Sequence, residues 1–431
     1  MSSEAHSVPE ARKFLSIPGR DVVPLLASIS LQLVLGTFFG HAYDMRIFMS
    51  TGYLTSSGQD PYILPDLRAV FNNPDFIGMT SIGYPPPWPL ILGVIYLLTF
   101  ATTHNFLLYN LGIKLPSILA NLALAYLVRD ILEAQNVRPR MARAAWLFML
   151  FNPFALYFTA AWGQFDTLLA LLTLISLVLL SRQRLIPAAI LLALAISLKP
   201  TPVAVVLAAV IYLLSPPWRR LGTYLITFAI SIFVFCVLPF IIFKWDASPI
   251  YHGWNNQFTV SGGMALTTLY ELIADTYVLP GSWWLLGVLW LPAILIGSMF
   301  LPRGELGFVT LLKNSLALTL IFFLTRTWLS EQNLALILPM VLILTCIGEL
   351  PKLAFHAAWL LPLLFTIFNT TPAQLLFPIR PELMAYLLRS SDVYRTQRLW
   401  ARMLVVIPWQ VAGWWMVACC FRKESAKPHE I

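Results

Sequence analysis

The amino-acid sequence predicts an all-α polytopic integral membrane protein, and three observations carry that prediction. Hydrophobic residues make up 58% of the 431 positions and charged residues 11%, for a mean hydropathy of +0.75. A soluble chain of this size has no interior large enough for so much apolar surface. Apolar runs of roughly 14–23 residues recur along the chain, most of them near the ~20 residues with which a helix crosses ~30 Å of hydrocarbon. The basic residues behind the net charge of +8 fall at the ends of those runs, where they orient helices, so nucleic-acid binding is not expected.

The segment 1–21 carries Arg12, Lys13 and Arg20 and is expected to be a cytoplasmic tail. The apolar run 22–40 then leads outward and is read as a retained membrane helix, since no convincing cleavage site follows it. Next comes a polar stretch, 41–89, with Asp44, Arg46, Asp60, Asp66, Arg68, Asp75 and the run Tyr84-Pro85-Pro86-Pro87-Trp88-Pro89. It is expected to be a long, ordered extracytoplasmic loop without clear secondary structure; loops of this length are usually functional or disordered.

Twelve further apolar runs follow, near 88–101, 106–128, 144–160, 166–181, 185–198, 201–214, 221–243, 284–300, 307–324, 334–348, 353–368 and 402–420. Thirteen crossings would leave the tail 421–431, with Arg422, Lys423 and Lys427, on the outside, against the preference of basic residues for the cytoplasm. The short run 88–101, entered through prolines, is therefore expected to lie in the interface or to enter only partway, giving a bundle of about 12–13 helices. One transmembrane domain, 22–420, accounts for the chain, with no fixed-period repeat and no linker. The excess of Arg380, Arg389, Arg395 and Arg398 over Glu382 and Asp392 in an outer segment is the exception to this topology.

Cys236, Cys346, Cys419 and Cys420 lie inside apolar runs, so they read as small buried hydrophobes rather than a disulfide framework. No CxxC, HExxH, Walker loop or glycine-rich phosphate cradle is present. Five polar groupings remain. Asp44 lies a few residues beyond the first apolar run, where a base would meet a lipid-linked reactant; a solvated loop carboxylate or a local pair with Arg46 is the plainer reading. Trp162-Gly163-Gln164-Phe165-Asp166 joins two apolar runs, and an acid there is either a site residue or the cap of the next helix. Trp162 offers a stacking face for a sugar, or a membrane anchor, and Gln164 a hydroxyl partner.

Lys199, between Leu198 and Pro200, breaks a long apolar stretch and either meets a lipid phosphate or snorkels to the interface. Arg326 suits a bidentate phosphate contact, and Glu331, Gln332 and Asn333 supply the mixed donors and acceptors that sugar hydroxyls need, unless the tract is only a helix-capping loop. His252, in Tyr251-His252-Gly253-Trp254, reads equally as an acceptor contact and as part of an ordered surface loop.

Taken in order, Asp44, Gly58-Gln59-Asp60-Pro61-Tyr62, Tyr84-Pro85-Pro86, Asn152-Pro153, Trp162-Gly163-Gln164-Phe165-Asp166 and Lys199-Pro200 resemble the GT-C superfamily of membrane glycosyltransferases, particularly polyprenyl- or dolichyl-phosphate-mannose-dependent mannosyltransferases. The resemblance covers about the first half of the chain, and Ser330-Glu331-Gln332-Asn333 echoes a later tract of such enzymes. It implies that Asp44 is the base, and that a hexose, mannose foremost, passes with inversion from a lipid-phosphate donor to a lipid, glycan or protein acceptor outside the cell membrane. Lys199, Arg326 and Arg46 are then expected at the donor phosphate. Trp162, Gln164, Asp166, Glu331, Gln332, Asn333 and His252 are expected around the sugar or acceptor. No metal or cofactor is expected, and Arg46 stands where a strict Asp-x-Asp pattern has its second acid. The histidine found in the site of some relatives has no clear counterpart; His252 is one choice, His104 and His356 others. A transporter or flippase of lipid-linked sugars is the competing reading; it calls for related halves with broken helices, and Lys199-Pro200 is one such break but has no counterpart in a second half. A non-catalytic subunit is a third.

Overall fold

The computed structural model describes residues 19–77, 80–304, 306–370, 372–389 and 393–422. The expected tails 1–21 and 421–431 therefore lie mostly outside the described residues. Among the described residues, seven helices are long and apolar enough to cross a membrane: Gly19–Phe38, Phe106–Ala134, Pro139–Trp162, Arg219–Phe243, Gly281–Met299, Lys352–Asn369 and Arg395–Phe421. Six shorter apolar helices stand between them, at Pro87–Thr103, Asp166–Ser181, Leu185–Leu198, Val203–Leu213, Phe308–Leu324 and Glu331–Cys346. Each of the thirteen apolar runs thus falls on one helical segment. The expected all-α membrane fold is what forms, because in hydrocarbon a helix satisfies its own backbone groups.

Local chemistry sets the breaks. Asn105 and Asn152 cap the helices that follow them by accepting the backbone N–H of Leu108 at 3.0 Å and of Ala155 at 3.0 Å. Prolines occupy the first turn at Pro87, Pro139 and Pro153, where no backbone donor is lost. The helices Asp166–Ser181 and Leu185–Leu198 form an antiparallel pair, tied by Ser176 Oγ donating to Ala188 O at 2.7 Å. Lys199-Pro200-Thr201-Pro202 then interrupts the chain before Val203–Leu213.

One expectation is corrected. The stretch 41–89 is not an irregular loop throughout: Ala42–Ser56 is a helix, buried around most of its circumference. The density of polar residues hides it in the sequence. The helix crosses Pro87–Leu98 closely, since a Cβ at Gly52 would stand 2.8 Å from Leu92 O and one at Gly93 2.9 Å from Thr55 Cγ2. With 12 residues, Pro87–Leu98 rises about 18 Å, well short of a bilayer core.

Two apolar cores result. The larger packs the main helices around Trp146, Leu174, Leu318, Val341 and Trp409. The smaller gathers Phe48, Tyr62, Phe76, Trp88, Tyr109 and Phe165 beneath the folded stretch 41–89. At one end of Gly19–Phe38, buried Asp21 accepts from Arg129 at 2.8 Å and Arg143 at 2.7 Å, joining three helices. At the other end, some 30 Å away for 20 residues, the chain turns through Phe39-Gly40-His41, where the two cores meet.

Candidate active site

The turn 39–41 is built by groups distant in sequence. Asn110 Nδ2 donates to the carbonyls of Gly36, Thr37 and Phe39 at 2.7, 3.0 and 2.9 Å. Lys114 Nζ, fully buried, meets Gly36 O at 3.2 Å, Ala161 O at 3.4 Å and also Phe39 O. Gly40 N donates to Leu375 O at 2.7 Å, and His41 N to Trp162 O at 3.1 Å. A Cβ at Gly40 would come within 2.7 Å of Asn110 Oδ1 and 2.8 Å of Pro378 Cγ, so this position requires glycine.

His41 precedes the helix Ala42–Ser56, and Asp44 lies in the first turn, three residues on. Asp44 Oδ2 faces His41 Nδ1 at 2.9 Å and accepts from Trp162 Nε1 at 2.5 Å; Gln164 adds a side-chain hydrogen bond. The His41 and Trp162 rings stack at 3.9 Å with planes 16° apart. Opposite Asp44, His41 Nε2 meets Gln374 Oε1 at 2.9 Å, so a doubly protonated ring donates to both neighbours, and a neutral one is accommodated by turning the amide. Burial raises the Asp44 pKa, but His41, Trp162 and Gln164 outweigh it and hold the carboxyl below the usual carboxylate value. The result is an ionised, partly exposed carboxylate, 19% of its side chain open to solvent.

Trp162 reaches Asp44 because the helix before it loosens. Tyr157–Trp162 forms a π-turn, a feature frequent at functional sites, and ends at Gly163 with φ +101°. Phe158 O accepts from both Gly163 N and Gln164 N, at 3.1 and 2.9 Å. A Cβ at Gly163 would meet Met45 Cε at 2.5 Å, so conformation and space both call for glycine.

A second polar group adjoins the first. Lys199 Nζ bonds both oxygens of Asp166, at 2.8 and 3.0 Å, with Asp166 1% and Lys199 8% exposed. The ammonium also faces the Tyr84 and Phe165 rings at 5.7 and 5.8 Å. Tyr84 links the two groups: burial first, then the charges of Asp44 and Asp166, keep its phenol protonated well above the ordinary range. On the other side lies buried Glu331, accepting from Asn369 Nδ2 at 3.1 Å. Burial raises its carboxyl pKa, against the hydrogen bond from Asn369 and the charge of Arg402.

The remaining expected residues are dispersed. Arg46, two residues past Asp44 and so on another face of the helix, donates to Asp75 O at 2.8 Å; the local Asp44–Arg46 pair does not form. The Arg326 guanidinium lies 5.0 Å over Phe322, and burial lowers its pKa to about 10. Gln332 and Asn333 continue the turn Glu331–Leu336. His252 is exposed on the helix Ser248–Gln257, its ring 5.8 Å from Tyr251, with no contact to the Asp44 group among the described residues. The histidine beside Asp44 is His41, recognisable in sequence only by its i, i+3 spacing at a helix start. Gln374, 333 residues away, leaves no local sequence signal. Lys114 leaves one, as a lysine inside an apolar run. Among the described residues no three His, Cys, Asp or Glu side chains group as a metal site.

Comparison with curated proteins gives no match. The model of glycosyltransferase family 87 matches residues 83–346, more than half of the chain. That span includes Tyr84, Trp162, Gln164, Asp166, Lys199, Arg326 and Glu331, and begins after His41 and Asp44. The expected kinship, fold and enzyme class therefore hold: the chain belongs to glycosyltransferase family 87, a GT-C family of multi-pass membrane glycosyltransferases that use lipid-linked sugar donors and include polyprenyl-phosphate-mannose-dependent mannosyltransferases.

Proposed function

We propose that this glycosyltransferase moves a hexose, mannose foremost, from a polyprenyl- or dolichyl-phosphate donor to a lipid, glycan or protein acceptor, with inversion and with Asp44 as general base. The observation that carries the reading is the Asp44 carboxylate, held ionised by His41, Trp162 and Gln164 while still partly open to solvent. Inverting transfer is a single displacement. The acceptor oxygen attacks the anomeric carbon as its proton passes to Asp44, and the bond from that carbon to the phosphate oxygen breaks, releasing the lipid phosphate. A base within ~2.6–3.2 Å of the proton contributes about 10²–10⁴-fold.

The anomeric carbon gains positive character and the departing phosphate negative charge, so fixed cations near the phosphate favour the transition state. Lys199 is the best supported of the expected three. It is buried, and Tyr84 connects its Asp166 pair to the surroundings of Asp44. Asp166 then acts by orienting the ammonium, which a phosphate oxygen would share. Arg46 and Arg326 are more remote helpers, being engaged with Asp75 and Phe322. Trp162 and Gln164 position Asp44 while facing the sugar, and Glu331, Gln332 and Asn333 line the acceptor's approach.

Arg129 and Arg143, gathered on Asp21, mark the end of the bundle remote from Asp44. By the positive-inside rule that end is cytoplasmic, which supports a transmembrane domain 22–420 with the stretch 41–89 outside the cell membrane and the tails 1–21 and 421–431 inside. The test is transfer of labelled mannose from synthetic polyprenyl-phosphate mannose in sealed vesicles carrying wild type or Asp44→Asn. Transfer by the wild type alone supports the reading, and equal transfer by both removes Asp44 from the chemistry.

A further inference from the structure

We infer that the cavity between the strand residues Gly262 and Trp328, Glu271, and the helix Arg395–Phe421 binds one neutral pyranose ring, belonging to the donor or to the acceptor; this rests on the glycosyl-transfer reading above. The cavity measures about 170 Å³. A closed hole of about 150 Å³ is filled by a single benzene; a hexopyranose has about twice as many heavy atoms, so it would lie in this open-sided cavity with part of the ring outside.

Its walls have the chemistry that a sugar ring presents in complement. One side is the Trp328 indole, fixed by its Nε1 donating to Ser330 Oγ at 3.0 Å and laid so close to the paired strand that a Cβ at Gly262 would stand 2.3 Å from it. Such a flat apolar face suits the C–H face of a pyranose. The rim is a continuous string of donors and acceptors. Glu271 Oε1 accepts from Arg402 Nη2 at 3.3 Å, Arg402 Nη1 donates to Asn369 Oδ1 at 2.9 Å, and Asn369 Nδ2 donates to Glu331 Oε1 at 3.1 Å. Arg402 Nε is buried with no hydrogen-bond partner among the described residues.

Other occupants fit less well. Two carboxyl groups against one guanidinium disfavour the donor phosphate. An isoprenoid tail would strand four polar side chains away from water. A neutral ring of hydroxyls supplies both donors to the carboxylates and acceptors to Arg402 and Asn369. The turn Glu331–Leu336, whose first residue lines the cavity, packs on the helix Asp166–Ser181 that begins two residues after Gln164, so the ring would sit toward the group that holds Asp44.

The test is saturation-transfer NMR on the detergent-solubilised full chain with methyl α-D-mannoside, glucoside and galactoside. Wild type, Trp328→Phe and Asp44→Asn are expected to give signal with at least one glycoside, and Trp328→Leu and Glu271→Gln to lose it at least fivefold, with thermal unfolding identifying any variant that fails to fold. Signal absent from folded wild type, or unchanged in both folded cavity variants, overturns the inference. Steady-state transfer then names the source: a KM raised tenfold for the donor alone means the donor ring, and for the acceptor alone the acceptor ring. Unchanged KM for both overturns it. If the glycoside pattern holds while Asp44→Asn transfers normally, the cavity assignment stands and the Asp44 reading fails.

Discussion

Trp162→Phe isolates a single contact at the proposed base. The replacement keeps an aromatic ring to stack on His41 and removes only the indole N–H that reaches Asp44 Oδ2 at 2.5 Å. A hydrogen bond to a charged group is worth about 1.5–3 kcal/mol, and one pKa unit corresponds to 1.36 kcal/mol. The full loss would lift the Asp44 pKa by about one to two units. His41 and Gln164 remain, and the carboxylate has access to solvent, so about one unit is expected. The sign follows from linkage. Asp44 is held below the usual carboxylate value, so the ionised form and its share of stability persist above the unfolded carboxylate range and are lost as pH falls through the folded pKa. Trp162→Phe should therefore move the acid limb of kcat/KM upward by about one unit, with neutral-pH activity largely kept. The assay is the pH profile of labelled mannose transfer, with thermal unfolding as the folding control. An acid limb that does not move in a folded variant refutes the assignment of that limb to Asp44.

Further outcomes follow from the same geometry. Gly163→Ala forces a Cβ into a left-handed backbone position and against Met45, and should cost about 1–3 kcal/mol, read as a lower unfolding midpoint. Lys114→Met removes the lysine donor from Ala161 O and leaves Gly36 O and Phe39 O to Asn110 alone, and should cost about 1–3 kcal/mol, with transfer falling as the turn 39–41 loosens. Lys199→Met strands the Asp166 charge and should destabilise by about 3–5 kcal/mol, whereas Lys199→Met with Asp166→Leu should recover stability but not transfer. If the double variant transfers normally, Lys199 has no part at the phosphate.

The thirteen helical segments were legible because hydrocarbon permits so few alternatives that apolar run length nearly dictates the element. The helix Ala42–Ser56 was not, since Asp44, Arg46 and Ser50 break up its apolar residues, and a helix buried on most faces has no one-sided period to read. Asp44, Trp162 and Gln164 could be singled out as polar residues at the ends of apolar runs, but nothing local in the sequence joins them. Their convergence depends on a π-turn and on Gly163, and a six-residue loosening of a helix leaves no composition signal. His41 was hidden for a different reason, as a helix-start residue that reads as a cap. Glu271, Asn369 and Arg402 lie in three segments that meet only through tertiary packing, so of the Trp328 cavity only the side carrying Ser330 and Glu331 was legible in the sequence.

The most direct measurement is mannose transfer from synthetic polyprenyl-phosphate mannose to native acceptors by equal amounts of folded wild type and Asp44→Asn. The wild type is expected to give product and the variant about 10²–10⁴-fold less. Equal transfer by both proteins would contradict Asp44 as the base.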